Sequence, residues 1–439
     1  MTTKQDNITA RRNTEINTET NTEIDAKKNR AITARHESKV CIVGGGPAGM
    51  VLAYMLARNG ISVTLLEAQK DFDRQFRGDT IHAAIMENLD QLGLAERLLQ
   101  KKHYKVANIT LGDSQNSDNV QLATFSRLRT KFPYVTMMDQ SRFLDFMAHE
   151  AAQYPEFNLL MRASAQSLIT EGDEVCGVQY RQGREWGEVR ATLTIAADGR
   201  SSKVRKLAGL IPKPTTEPMD VLWFRLPKDE HEEVEEGLGI QAGGRLPFIR
   251  LERNDHWQCG LIVPDGGYQM LRKEGIAYLH ELIIGAAPQF KTRIVETLHD
   301  WKNIAWLNVT GSRLDQWWQP GLLLIGDAAH VMTPIGGVGI NYAIQDAVVA
   351  ANVLSGPLQN GALTTDHLAE VQRQREWPTR FIQNFQAAAQ RRILKPGVSI
   401  DEPFVIPRFV RLARHIPGIR GLLPRLISFG VRRVQVEAI

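Results

Sequence analysis

No run of roughly 18 apolar residues occurs in the chain, so the usual signature of a membrane-spanning helix is missing. Cysteine is scarce: Cys41, Cys176 and Cys259 stand alone, without CxxC spacing. That argues against a disulfide framework and a zinc site, and points to a reducing compartment, expected to be the cytoplasm. Cys41 falls in an apolar strand run and reads as a packed thiol. The N-terminus lacks the apolar core of a secretory signal. Glu15, Glu19, Glu23 and Asp25 disfavour a transit peptide. No basic run interleaved with aromatics is found, so nucleic acid is not an expected partner. The net charge of +4 hides an asymmetry: residues 391–439 hold ten Lys/Arg against three acids, leaving the rest of the chain slightly acidic.

What is there fits a globular protein. The chain's 439 residues, 43% of them apolar, suffice for two or three domains. Residues 1–37 are the exception, a polar stretch with "NTEI", "NTET" and "NTEI" in succession from Asn13 to Ile24. Such a segment cannot bury enough apolar surface to offset its ordering entropy, and is expected to be a disordered tail. From Lys39 the pattern changes. "KVCIV" predicts a buried strand and "PAGMVLAYMLARNG" a helix stopped at Asn59-Gly60. "ISVTLLE" predicts a second strand and "TIHAAIMENLDQLGLAERLL" an amphipathic helix. Strand-rich blocks follow, broken by helical material over roughly Tyr268–Leu298, and the last hundred residues read as mostly helical. This order predicts an α/β protein with α+β insertions: a discontinuous nucleotide-binding domain, an inserted β-sheet domain and a helical C-terminus.

Three motifs carry chemistry. In "GGGPAG", Gly44, Gly46 and Gly49 fit G-x-G-x-x-G between strand and helix, with Pro47 and Ala48 opening the helix. The spacing allows a tight turn, close approach of a pyrophosphate to backbone, and close helix–strand packing. Glu67 ends the second strand 18 residues after Gly49, where a carboxylate accepts from ribose hydroxyls, as for FAD or NAD. "AADGRSSKVRKL" places Asp198-Gly199 at a strand end, with Ser201 a candidate cap for a helix carrying Lys203 and Arg205. In "GLLLIGDAAHVMTPIGGVGIN", Gly326-Asp327 follows a strand, where the carboxylate can accept from a ribityl hydroxyl. Pro334, Gly336, Gly337 and Gly339, followed by Ile340 and Asn341, let backbone lie against a flat ring at a helix N-terminus.

Together and in this order, these motifs resemble the class A flavoprotein monooxygenases, over Lys39 to about Pro378. The resemblance implies a Rossmann-like FAD-binding domain whose first and third motifs hold one FAD, with the Asp-Gly motif serving FAD and NAD(P)H. It adds Arg77 and Arg142 as FAD-contacting arginines. The implied division is a tail at 1–37, FAD-binding parts at 38–110, 136–210 and 305–360, inserted strands at 111–135, a substrate-binding sheet at 211–304, and a helical region at 361–439. The implied reaction uses NAD(P)H and O2 to hydroxylate or epoxidise a small aromatic or polyketide-like substrate through a flavin C4a-hydroperoxide. No second GxGxxG is present for the nicotinamide, and no catalytic side chain is singled out. His82 and His330 lack visible partners, and His330 is expected to belong to the turn holding Asp327. Trp317 and Trp318 read as packing residues. A flavin-dependent halogenase is the near alternative, although "HWQCGLIVP" lacks the W-x-W of those enzymes. A geranylgeranyl-reductase-like enzyme and a non-catalytic FAD-binding regulator are the others. The basic C-terminus could meet a membrane surface, but Pro417 and Pro424 favour a docked cap.

Overall fold

The computed structural model describes residues 32–73, 80–113, 120–229, 237–242, 244–253, 256–393 and 419–437. Strand β1 (Ile32–Val43) starts inside the expected tail, because Ile32–Ser38 pair in parallel with Trp186–Ala191. Its first residues are half-exposed and its last four are buried. Helix α1 (Pro47–Arg58) has proline in its first turn, where no N–H is needed, and ends at Asn59 before a left-handed Gly60. Then come β2 (Val63–Glu67), β3 (Thr80–Ile81), α2 (Ala83–Gln91), β4 (Asn108–Asp113), β5 (Val120–Thr124) and α3 (Gln140–Ala151). The single amphipathic helix expected near α2 is interrupted after Gln91, and a further short helix spans Ala95–Leu99. β6 (Phe157–Met161), β7 (Ala163–Glu171), β8 (Glu174–Gln182), β9 (Glu185–Ala196) and α4 (Lys203–Leu207) complete this half.

The middle of the chain holds β10 (Met219–Pro227), β11 (Leu238–Ala242), β12 (Phe248–Glu252), β13 (His256–Pro264), α5 (Gly267–Glu274), α6 (Ile276–Ala286), α7 (Lys291–Thr297) and β14 (Ala305–Val309). The chain then returns through β15 (Ser312–Arg313), β16 (Trp318–Gln319), β17 (Leu322–Leu324) and β18 (His330–Val331). Helices α8 (Gly339–Gln359), α9 (Thr365–Ile393) and α10 (Ile419–Phe429) follow.

Two large sheets organise these elements. In the first, β6, β2, β1, β9 and β17 run parallel in that order, with β16 at one edge and the β7–β8 hairpin paired antiparallel to β9. α1, α3 and α8 pack on one face around Met50, Leu52, Leu65 and Val348. In the second, the order is β14-β10-β13-β12-β11-β4-β5. β4 pairs in parallel with β11, so strands from the expected 38–110 and 111–135 segments belong to the sheet of the middle region. Its outer face packs on α5–α7 through Phe224, Phe248, Trp257 and Phe290. α10 closes the inner side, its Leu423, Leu426 and Ile427 packed with residues of that face. Pro424 lies within α10 and does not end it. Asn88 and Asn352 donate to the Val434 and Gln435 carbonyls, fastening the final residues onto α2 and α8. Residues 419–437 are thus packed against the rest of the chain, and Pro417 lies outside the described residues.

Candidate active site

The sequence motifs meet at one edge of the parallel sheet. Gly44 follows β1, Glu67 ends β2, Asp198 follows β9 and Gly326 follows β17. Carboxyl ends of parallel strands are where open α/β sheets bind ligands. Backbone bonds stitch this edge: Gly44 N donates to Leu66 O at 2.8 Å, Ala197 N to Val43 O at 2.8 Å and Ile325 N to Ala196 O at 3.0 Å. A Cβ placed on Gly326 would stand 3.1 Å from Ala343 Cβ and 3.6 Å from Ala48 Cβ, so the third motif touches the first.

The first motif forms a cradle. A Cβ on Gly49 would stand 2.0 Å from the Gly44 carbonyl oxygen, and one on Gly44 (φ +107°) would meet Ala197 O at 2.5 Å. Both positions therefore require glycine. A Cβ on Gly46 would meet nothing within 4 Å, so that side of the turn is open. The N-terminus of α1 has no side-chain cap. Its free N–H groups and positive dipole end suit an anionic phosphate. Glu67 is buried, accepting from Gly45 N at 2.8 Å and Gln69 N at 2.9 Å, which fixes its carboxylate against the turn.

Asp198 is engaged within the protein. Its carboxylate caps α4, accepting from Lys203 N at 2.7 Å, Val204 N at 3.1 Å and the Ser202 hydroxyl. Ser202, not Ser201, is the N-cap residue. Arg205, on the same helix, is buried and donates to Ala328 O at 2.8 Å and Asp327 O at 3.3 Å. The second motif thus supports the third through an arginine. Arg77 lies outside the described residues. Arg142 on α3 pairs with Asp139 at 3.5 Å, and its buried Nε has no partner among the described residues.

The glycine loop from Pro334 to Asn341 is pinned by β3 and the residue after it. The Gly337 carbonyl accepts from Thr80 Oγ1 at 2.8 Å, Asn341 Nδ2 at 3.2 Å and His82 Nε2 at 3.1 Å. Asn341 Oδ1 in turn accepts from His82 N at 2.8 Å. Gly339 opens α8, whose N-terminus also lacks a side-chain cap, and Ile340 packs partly buried on the main core. Two uncapped helix N-termini, those of α1 and α8, therefore belong to this region.

Sequence reasoning missed the buried ion cluster behind Asp327. Asp346 accepts from Gly326 N at 2.9 Å, His330 Nε2 at 2.6 Å and Arg375 Nε at 2.7 Å, all three side chains being buried. His330 also lies 4.8 Å from the ring of fully buried Trp317. Asp346 sits on α8 and Arg375 on α9, and no local pattern joins them to the Gly-Asp step.

The family described as "FAD binding domain" matches residues 37–383. The chain belongs to it. A 6-methylpretetramide 4-monooxygenase from Streptomyces rimosus is 33% identical over 402 residues, covering 91% of this chain and 94% of that protein. Among solved structures, the anhydrotetracycline hydroxylase OxyS of Streptomyces rimosus superposes with a TM-score of 0.71 at 22% identity, over 92% of this chain and 78% of that one. The myxobacterial chondrochloren halogenase CndH superposes with a TM-score of 0.70 at 18% identity, over 90% of this chain and 97% of that one. These two structures show the shared fold, which by itself does not separate hydroxylation from halogenation. With the family and the monooxygenase relative, the chain is an FAD-dependent oxidoreductase of the class A monooxygenase superfamily.

The residues present fit FAD. The open side of Gly46, two uncapped helix N-termini, and Arg142 Nε and His82 Nδ1, which have no partner among the described residues, are what a bound dinucleotide would engage. Burial pushes His82 down from its ordinary 6.5 to about 4, with the bond to Gly337 opposing in part, so the ring is neutral at pH 7. The unfolded chain takes a proton on this ring below pH 6.5 and the folded one only near pH 4. Stability therefore falls as pH drops through that window, by about 3 kcal/mol at roughly 1.4 kcal/mol per unit. Urea denaturation of His82→Gln between pH 7 and 4 is expected to show a flatter pH dependence than wild type. An equally steep decline would reject this assignment.

Proposed function

We propose that the protein uses NAD(P)H and O2 to hydroxylate or epoxidise a planar, apolar, aromatic polyketide-like substrate, releasing the second oxygen atom as water. Bound FAD would supply the redox chemistry, taking a hydride from the nicotinamide and activating O2. The protein's own groups bind, orient and exclude water. The Gly44–Gly49 cradle and the N-terminus of α1 would hold the pyrophosphate, with Arg142, and Arg77 by resemblance, beside it. Glu67 would accept from the ribose and Asp327 from the ribityl chain. The Pro334–Asn341 loop and the N-terminus of α8 would carry the flavin ring. A helix N-terminus there stabilises the negative charge of a reduced flavin.

The observation that carries the substrate proposal is the apolar cluster joining this loop to the inner face of the second sheet. Met332 and Val338 meet Val106, Leu251 and Ile427 there, while Tyr104, Trp223 and Phe385 remain only partly buried. Trp223 lies against Gly260, where a Cβ would come within 2.9 Å of the indole. Aromatic surface between sheet and loop suits a flat, fused-ring ligand. The relative that acts as a 6-methylpretetramide 4-monooxygenase supports the same class.

The test is turnover of a panel of phenols and aromatic polyketides with NADPH or NADH under isotopically labelled O2. One labelled oxygen atom in a product supports the proposal. Products formed only with halide and a separate reductase would favour the halogenase alternative. Asp327→Ala is expected to lower the fraction of protein carrying FAD, read from the ratio of visible to ultraviolet absorbance. Wild-type occupancy in that variant would sink the ribityl assignment.

A further inference from the structure

Helix α9 buries polar side chains where a helix ordinarily buries apolar ones. At spacings of three and four residues it places Gln372, Arg375, Thr379, Gln383, Gln386 and Gln390 in the interior, beside Leu368, Val371 and Ile382. A buried amide left without partners costs about 1–3 kcal/mol, so such a face persists only where it finds hydrogen-bonding groups. The four glutamines find backbone. Gln372 accepts from Trp317 N at 2.9 Å and donates to Asp315 O at 2.7 Å. Gln383 donates to Ser312 O and Val331 O, each at 3.0 Å, and accepts from Arg313 at 2.7 Å. Gln390 donates to Glu217 O at 2.7 Å.

Gln386 grips the start of the flavin loop. It donates to Thr333 O at 2.9 Å and Ile335 O at 2.8 Å, and accepts from Thr333 N at 3.3 Å. These residues flank Pro334, so one amide holds the chain on both sides of it. Glu217 and Ser312, held by the neighbouring glutamines, lie where the chain enters and leaves the second sheet, just before β10 and just after β14. One helix face therefore grips both the loop and the two crossings to the substrate sheet.

We propose that Gln386 is a positioning residue of the flavin site. Through Thr333 and Ile335 it fixes the path of Pro334–Gly337. With Gln383 and Gln390 it keeps that loop in register with the substrate sheet. The proposal rests on the reading of Pro334–Asn341 as the flavin loop. Displacements of about 1 Å at a reacting centre can cost a hundredfold in rate, so a loop beside the flavin benefits from being held at fixed points.

The test compares Gln386→Leu, Gln386→Glu and Gln372→Leu, the last altering an equally polar buried position that bonds away from the loop. Each is measured for thermal unfolding, for FAD affinity by titrating the apoprotein, and for the shape of the visible flavin band. Gln386→Leu loses all three bonds to Thr333 and Ile335, and is expected to weaken FAD binding about tenfold and to change the band because the loop is no longer held on its flavin-binding path. Gln386→Glu keeps the acceptor for Thr333 N but loses both donations, and should do the same. Gln372→Leu should lower the unfolding temperature while leaving affinity and band at wild-type values. Wild-type affinity and band in the Gln386 variants would overturn the proposal, as would an equal perturbation in Gln372→Leu. Should Gln386→Leu fail to fold, Gln386→Glu decides on the same readouts. Wild-type protein that takes up no FAD would instead overturn the flavin-loop reading itself.

Discussion

Arg375→Met is expected to cost the fold about 3–5 kcal/mol, the loss typical of a buried ion pair that loses one partner. Burial alone would raise the pKa of Asp346, but His330 and Arg375 outweigh it and hold the carboxyl below its ordinary range. With Arg375 gone, His330 and the Gly326 amide are the hydrogen-bond partners left to the buried charge among the described residues. The pH dependence follows with a definite sign. A carboxylate with a depressed folded pKa stabilises the protein above its unfolded pKa, and that stability is lost as pH falls through the folded value. The variant should therefore lose stability at higher pH than wild type. Because Asp346 also holds Gly326, FAD occupancy should fall as well. Urea denaturation at two pH values, with and without FAD, checks both effects. A variant with the wild-type midpoint would show that the cluster contributes no net stability.

Gly46→Ala and Gly49→Ala should fail in opposite ways, although they lie three residues apart. At Gly49 the added methyl meets the Gly44 carbonyl oxygen at 2.0 Å, and neither atom belongs to a flexible side chain. Strand and helix must part, which overpacking costs of about 1–3 kcal/mol or more describe, and the apoprotein itself should be destabilised. At Gly46 the methyl meets no protein atom within 4 Å, and the backbone φ of −76° suits alanine. The Gly46→Ala apoprotein should unfold at the wild-type temperature. Its affinity for FAD should nevertheless drop at least roughly tenfold, because the methyl occupies space that the pyrophosphate needs. Thermal unfolding of both apoproteins and an FAD titration give the comparison. Gly46→Ala binding FAD as wild type does would move the pyrophosphate elsewhere.

The parts legible in the sequence are those made by neighbouring residues. Gly44, Gly49 and Glu67 carry their geometry in local spacing, and the parallel sheet that presents them follows from strand–turn–helix order. The Gly-Asp step and the Pro334–Asn341 loop were legible for the same reason. Partners far apart in the chain left no such trace. Arg375 meets Asp346 from another helix, and Arg205 reaches the Asp327 carbonyl across 122 residues. β4 joins a sheet whose other central strands begin a hundred residues later, because pairing is decided by the free edge of β11 and not by local pattern. The Asp-Gly step did not show that the Asp198 carboxylate also caps α4, accepting from the backbone N–H groups of Lys203 and Val204. The glutamine face of α9 was hidden most fully, since polar residues at helical spacing ordinarily mark a solvated surface.

The most direct test of the account is the visible absorbance of purified protein supplied with FAD, mixed anaerobically with NADPH or NADH, alone and with aromatic polyketides, and then opened to air. A bound flavin band that bleaches with a nicotinamide and returns with O2 is the predicted result. Protein that retains no FAD, or a bound flavin that neither nicotinamide reduces under any of these conditions, would contradict it.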